Sequence, residues 1–337
     1  MYLKEPITLV EQKWSVEDAP VVSVFNWVYN HNNYIRESIK SILMQKTAFP
    51  VEIIIHDDAS NDGSTNIIKE YELKYPHLFK NILHIENQWS QGKSVMDPLF
   101  EKPRGKYIGL NHGDDYWTDP YKLQKQVDFL EANPEYNLVV HDAIKIDEKG
   151  NKLSDYYFKP PKSTFNQKDL MQLGCQTPTC SMVFRSECIK DINPVLLNIM
   201  CDQILELVIS DNGKMFYMPD NMAAYRIHSA GVWSAKKNIE RFKEALHRWK
   251  TIKSIDRYYK NYKQEIDEAI VFSSKEICED IHALISVRRL YYGFLIYTHS
   301  NKKGLKTFIF LLKMVVFPQL YNLYKLKIRG VGKFGLY

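Results

Sequence analysis

Two acidic clusters stand where apolar runs stop: His56-Asp57-Asp58-Ala59-Ser60-Asn61-Asp62-Gly63-Ser64 and His112-Gly113-Asp114-Asp115-Tyr116-Trp117. Carboxylates gathered at one sheet edge repel each other and any phosphate unless a divalent cation lies between them, and oxygen ligands select Mg2+ or Mn2+. Acids placed this way imply a metal. Each cluster also has a plainer reading: Asp62 or Ser64 capping the next helix, and an Asx turn at Asp114-Asp115 ahead of the helix near Pro120. Taken singly, each reads more readily as a turn.

Other patterns fail on their context. Gly330-Val331-Gly332-Lys333-Phe334-Gly335 matches GxGxxG two residues before the end of the sequence, where no helix follows to face a pyrophosphate. Gln91-Gly92-Lys93-Ser94 looks like the end of a phosphate loop, but Asn87 stands where its first glycine belongs. Neither HExxH nor GxSxG occurs, so zinc proteolysis and serine hydrolysis lack support. The five cysteines form no CxxC pair, which argues against a zinc site and a disulfide framework and fits a reducing cytosol.

The elements that must position the acids alternate as in an α/β domain with a largely parallel sheet. Val21 to Phe25 reads as the first strand, followed by a loop and a helix with Ile35, Ile39, Ile42 and Leu43 at helical spacing. Val51 to His56 is a second, buried strand, and a helix bearing Ile67, Ile68, Tyr71 and Tyr75 follows the first acidic cluster. Ile82 to Ile85 and Lys106 to Leu110 are further strands, the latter ending at the second cluster. Tyr121 to Ala132 is an amphipathic helix, Asn137 to His141 a strand, and 145–178 mostly loop. Cys201 to Ser210 reads as a helix, and Ile239 to about Ser300 as mostly helical.

At 45% hydrophobic and 25% charged residues the composition is that of a folded globular chain and excludes disordered and collagenous classes. The net charge of +5 is uneven: residues 301–337 hold eight basic residues and no acidic one, leaving 37 basic against 40 acidic, or −3, over the first 300. An excess confined to a terminal segment points to a local anionic partner and not to nucleic acid. Phe308 to Phe317 is far short of the roughly 20 apolar residues that span a bilayer. With its flanking lysines it suits an interfacial helix on an anionic membrane surface, against the alternative of a helix packed on the core. No apolar run near Met1 resembles a signal peptide, so the expected place is cytoplasmic, peripheral on the inner face of the cell membrane.

In order along the chain, three segments resemble the motifs of family 2 glycosyltransferases of GT-A fold. Val21-Val22-Ser23-Val24-Phe25-Asn26-Trp27-Val28-Tyr29-Asn30 resembles their "VSVIxPxYN" start, Asp57 to Ser64 their "DDxSxDGT", and Gly113-Asp114-Asp115-Tyr116-Trp117 their "DGDDxW" metal motif. The resemblance covers about Val21 to Ser234. Ile53 to Phe129 looks most like bacterial enzymes that build lipopolysaccharide or capsule glycans. It implies an α/β GT-A fold, Rossmann-like, with a mainly parallel mixed sheet flanked by helices, and a C-terminal helical extension. The expected division is an N-terminal extension (1–20), a GT-A domain (21–235, its nucleotide-sugar half 21–118 and its acceptor half 119–235), a helical region (236–300) and the basic tail (301–337).

The resemblance also implies roles. Asp58 is expected at the donor's base, uracil through N3–H, with Val28, Tyr29, Asn30, Lys93, His112, Gly113 and Asp114 around the donor nucleotide. Asp114, Asp115 and His228 are expected to hold Mn2+ or Mg2+. The family usually has an acid at the position of His112, so one contact to ribose or metal is changed; a histidine can donate to a ribose hydroxyl or, when neutral, ligate Mn2+. Cys201-Asp202-Gln203 resembles the family's catalytic-base site, although Asp also favours helix N-caps. Tyr225-Arg226-Ile227-His228-Ser229-Ala230-Gly231-Val232-Trp233-Ser234 resembles the "YRxHxxsxS" loop, which puts Arg226 and His228 at the leaving diphosphate.

The expected reaction is a single inverting displacement, with Asp202 taking the proton of an acceptor hydroxyl while charge develops on the diphosphate. The donor is a nucleotide-sugar, expected to be a UDP-sugar, and the acceptor a glycan or lipid-linked glycan. The competing readings are a silent GT-A module that binds nucleotide or glycan, and a nucleotidyltransferase. The last lacks the Gly-rich basic loop that would follow Val24.

Overall fold

The computed structural model describes residues 3–14, 18–173, 177–231 and 236–280. The chain divides into two compact units. The first comprises Met1–Gln167, Thr177–Ile192 and Met200–His228; the second comprises Lys168–Gln176, Asn193–Ile199 and Ser229–Tyr337. The expected basic tail, Val232 to Ser234 and the part of the expected helical region after Asp280 lie outside the described residues.

In the first unit, β1 (Ile7–Thr8) leads in, and β2 (Val22–Val28) is the first strand of the main sheet. All seven residues of β2 are buried, as expected of a parallel strand covered on both faces. α1 (Ile35–Leu43) turns Ile35, Ile39, Ile42 and Leu43 inward at the spacing of one helix face. β3 (Lys46–Thr47) pairs with β1 in a small two-stranded sheet, which makes Leu9 of the N-terminal segment a fully buried core residue. β4 (Val51–Asp57) is again buried throughout, and α2 (Ser64–Lys74) starts after Gly63, whose φ of +101° suits a residue without Cβ. β5 (Ile82–Leu83), α3 (Asp97–Glu101), β6 (Tyr107–His112), β7 (Tyr116–Trp117) and α4 (Lys122–Ala132) complete the N-terminal half.

The chain then forms β8 (Tyr136–Ile146), β9 (Lys152–Ser154), β10 (Thr164–Phe165), α5 (Gln167–Leu173), β11 (Val183–Arg185), α6 (Pro194–Leu197), α7 (Asp202–Ile209) and β12 (Lys214–Arg226). The main sheet has ten strands, in the order β10-β12-β8-β11-β6-β2-β4-β5, with β7 on β12 and β9 on β8. β6, β2, β4 and β5 run parallel, whereas β11 is antiparallel to both its neighbours. The fold is thus α/β of GT-A type, a mixed sheet flanked by helices.

Three differences from the sequence reading bear on the site. β6 continues through Asn111 and His112, because Asn26 and Asn111 lie side by side and both donate Nδ2 to Ser38 Oγ, at 3.1 and 2.9 Å; a buried polar layer extends the strand where apolar patterning stops. The stretch 145–178 holds β9, β10 and α5 as well as loops. Finally, Tyr225 and Arg226 belong to strand β12, which runs parallel to β8 with Arg226 opposite Ile146. β12 has irregularities between Met218 and Ala223, where Pro219-Asp220-Asn221 reads as a turn in sequence.

The second unit contains α6, nearly all of α5, and α8 (Asn238–Lys253), α9 (Asp256–Asn261) and α10 (Lys263–Asp280). α8 buries Ala245, Leu246, Trp249 and Ile252, and α10 buries Ile266, Ala269 and Ile270. Phe242 meets Phe272 at one end of the pair, and Lys253 Nζ bonds Asp267 Oδ1 at 2.8 Å at the other.

Candidate active site

The ends of β2 and β4 are sewn into one surface by side chains. Asn30 (φ +55°) and Ala59 (φ +62°) both take left-handed backbone, turning the chain sharply after each strand. Asn30 N donates to Ser60 Oγ (2.8 Å), Asn61 N to Asn30 Oδ1 (2.9 Å) and Asn32 N to Asp62 Oδ2 (2.8 Å). Asp57 is consumed by this turn: Oδ1 accepts from Ser60 N and Oγ, and Oδ2 from Thr65 Oγ1. Asp62 Oδ1 accepts from Ser64 N and Oγ in an Asx turn just ahead of α2; the cap position is Gly63, which has no side chain, so neither Asp62 nor Ser64 is the helix N-cap.

Asp58 is buried and faces another way. Its Oδ1 accepts from Gln88 N at 2.6 Å, its Oδ2 from Trp89 N at 3.1 Å, and its carbonyl from Asn87 Nδ2 at 2.9 Å. The carboxylate therefore holds the turn at 87–92 against the strand end. Lys93, exposed, donates Nζ to Gln88 Oε1 (3.1 Å) and so belongs to the same turn. Val28 is buried with its carbonyl bonded to Asp58 N, while Tyr29 is 46% exposed.

The second cluster follows β6. The ring of Trp27 meets His112 edge-on at 5.4 Å, and Trp27 Nε1 donates to Val95 O at 3.0 Å, which ties this strand end to the chain after Lys93. Gly113 has no room for a side chain: a Cβ would fall 2.7 Å from His31 Nδ1 and 3.0 Å from Val28 Cγ2. Asp114 Oδ2 lies 3.0 Å from His228 Nε2 and 3.8 Å from His31 Nε2, with 16% of its side chain exposed. Burial on its own raises an acid, but the imidazoles of His31, His112 and His228 outweigh it and hold Asp114 well below the usual carboxylate range.

Asp115 has the opposite character. It is 3% exposed, its Oδ1 accepts Arg226 N at 2.8 Å, and burial together with the adjacent Asp114 pushes its carboxyl well above the ordinary value. Neighbours in sequence, the two acids are an ionised group at the surface of the site and an inward-facing one. Asp114 Oδ1 and His31 Nδ1 are buried without a hydrogen-bond partner. Among the described residues no three acid, imidazole or thiol groups form a ready ligand set. An orphaned carboxylate oxygen beside imidazole nitrogen still fits a Mg2+ or Mn2+ ion, since these take one or two protein ligands and complete their shell with substrate phosphate and water.

Arg226 is 4% exposed at its side chain and occupied. Its Nε donates to Asp114 O (3.0 Å), its Nη1 to Asp147 O (3.2 Å) and Glu148 O (3.4 Å), and its Nη2 to Glu37 Oε2 (2.7 Å). Four of the five N–H groups of the guanidinium are used inside the protein. Asp202 is the first residue of α7, with Cys201 at the cap position; its Oδ1 accepts Gln203 N at 2.9 Å, and Thr179 Oγ1 is 3.5 Å from Oδ2. Burial, then the charges of Asp115, Asp114 and Asp202, raise the phenol of Tyr225.

The structure thus brings Asp114, Asp115, Arg226 and His228 together, while Asp202 stands at the start of α7 with Gln203 N and Thr179 as its partners. Asp58 and Lys93 form a separate group with the 87–92 turn, joined to the first through Trp27. His31 is an addition to the site. Nothing in the spacing marks His31, which reaches Asp114 because β2 and β6 are adjacent parallel strands.

Residues 23–190 match the model of "Glycosyl transferase family 2". An uncharacterized protein of Mycobacterium tuberculosis is 37% identical over 215 residues, 63% of this chain; the match spans 60% of that relative's length. TuaG of Bacillus subtilis, named for teichuronic acid biosynthesis, is 28% identical over 255 residues, 72% of this chain and 96% of TuaG. The Staphylococcus aureus protein TarS, residues 1–349 in complex with UDP, superposes with a TM-score of 0.55 at 14% identity, covering 82% of this chain and 88% of that one, a likeness of fold.

Proposed function

Because the chain belongs to glycosyl transferase family 2, we propose that it transfers a sugar from a nucleotide-sugar to a hydroxyl of a glycan or lipid-linked acceptor in surface-polysaccharide synthesis. The observation that carries this reading is Asp114: an ionised carboxylate at a strand's C-terminal end, contacted by His228 and holding one unpartnered oxygen. Open α/β sheets bind their ligands at such ends. The teichuronic-acid name of one relative supports the polymer class, and the UDP held by TarS puts a UDP-sugar first among donors.

In this reading Asp114 and His228 hold a divalent cation, with Asp115 behind Asp114. A bound cation supplies positive charge where the leaving diphosphate becomes more negative. The protein does the rest. Asp58 and the 87–92 turn bind the base, Tyr29 and Asn30 line the nucleotide, and Asp202 accepts the proton of the acceptor hydroxyl. That oxygen bonds to the anomeric carbon as the carbon–phosphate oxygen bond breaks, so the configuration inverts and nucleoside diphosphate leaves.

The test is a melting panel of UDP, dTDP, GDP and CMP, each with and without Mn2+. A ligand at 100 times its dissociation constant stabilises by about 2.7 kcal/mol. One nucleotide raising Tm with metal is the expected result; no shift from any of them, in protein with unchanged fold, overturns the donor-site reading.

A further inference from the structure

We propose that Arg226 is a positioning residue and that Glu37 is its anchor. The guanidinium sets the Asp114-Asp115 turn, and through it the His228–Asp114 contact, from inside the protein. This inference rests on the reading of Asp114 and His228 as the donor-phosphate end of the site. It replaces a diphosphate contact for Arg226 by a role two bonds removed from substrate.

Four observations carry it. First, Arg226 reaches both acids through backbone as well as side chain: its N donates to Asp115 Oδ1 (2.8 Å) and its Nε to Asp114 O (3.0 Å), so the turn is held at two points by one residue. Second, the far end of the guanidinium is fastened to the carbonyls of Asp147 and Glu148 and to Glu37 on α1. Three separate segments therefore meet on one planar group, a task an ammonium on a flexible stem does not reproduce.

Third, Tyr34 lies under both partners: the guanidinium is 4.6 Å from its ring centroid, and the His228 ring is 5.1 Å from it. Moving the guanidinium removes packing beneath the imidazole that touches Asp114. Fourth, the exposures are unequal. Arg226 is 4% exposed and Glu37 53%, and a cavity of about 510 Å³ opens over the pair between Tyr34 and the Glu148–Gly150 turn. A buried cation whose counter-ion sits at an open edge depends on that counter-ion for its orientation, because an uncompensated buried charge is costly. Glu37 itself sits at the exposed edge, so Glu37→Gln leaves no cavity and keeps an amide oxygen in place of the carboxylate.

The experiment uses the ligand-free full chain and follows the imidazole 15N signals of His228, assigned by their loss in His228→Asn. Glu37→Gln and Arg226→Lys are expected to shift His228 Nε2, reporting a changed contact with Asp114, while Tm shows both variants folded. Mn2+ affinity by electron paramagnetic resonance should weaken about tenfold in each, the usual cost of losing a supporting contact behind a metal ligand. Metal-free affinity for UDP relative to uridine should not change. Unmoved His228 signals in both variants overturn the proposal. So does a selective loss of UDP over uridine binding in Arg226→Lys, which would place Arg226 on the diphosphate. If the wild type binds no nucleotide, the donor-site reading fails, and the His228 signals still decide the role of Arg226.

Discussion

His56 Nε2 and His84 Nε2 lie 2.9 Å apart beneath the first acidic turn, so one ring donates and the other accepts. His56 is 1% exposed, and burial, then the charge of His84, lower its pKa to about 4, against the pull of Asp58 and Asp57. An unfolded chain protonates this ring near pH 6.5. Between pH 6.5 and 4 the unfolded state takes a proton that the folded state refuses, so stability falls as pH falls through that window, by on the order of 3 kcal/mol. Tm measured from pH 7 to 4.5 should drop steeply for the wild type and less steeply for His56→Asn. Equal slopes would show that the pair does not carry the effect.

Asp202→Asn keeps the shape of the side chain but removes its basicity. Turnover is expected to fall ~10²- to 10⁴-fold, the range of general-base catalysis, with nucleotide affinity unchanged. Sugar transfer at near wild-type rate would take Asp202 out of the base role.

Asp58→Ala leaves Gln88 N and Trp89 N without their acceptors. The loss of two charge-assisted bonds, about 1.5–3 kcal/mol each, should loosen the 87–92 turn more than the sheet. Limited trypsin digestion should then cut after the exposed Lys93 faster than in the wild type, while global Tm falls by a smaller fraction. Unchanged cleavage would mean that the turn is held by other contacts.

Gly113→Ala forces a methyl to within 2.7 Å of His31 Nδ1 and 3.3 Å of Ile35 Cδ1. Overpacking of this kind costs about 1–3 kcal/mol. Adding His31→Ala should recover part of the loss, a coupling readable in a denaturation double-mutant cycle. Strict additivity of the two would place the strain elsewhere.

The N-terminal half was legible because its strands are mostly apolar and its helices carry one apolar face: β2, β4 and α1 fall within a few residues of the run-based reading. The acidic loops were legible because they break those runs. Hidden from a linear reading were contacts made across the sheet. Asn26 and Asn111 look like loop residues until both meet Ser38, and His31 becomes a site residue through strand adjacency alone. The occupation of Asp58 by main-chain N–H groups and of Arg226 by carbonyls leaves no mark in residue type, since every residue but proline offers the same backbone groups.

β12 has a consequence for how this protein tolerates change in chain length. Arg226 ends a strand paired with β8 along its length, and His228 follows two residues later. The irregular stretch from Met218 to Ala223 sets how far the strand advances before those residues arrive. One residue inserted or deleted there slides them by about 3.3 Å and turns each to the opposite face. The stretch 159–162, outside the strands, can absorb such an insertion. Among related chains, length variation should therefore collect in that stretch and spare Met218 to His228.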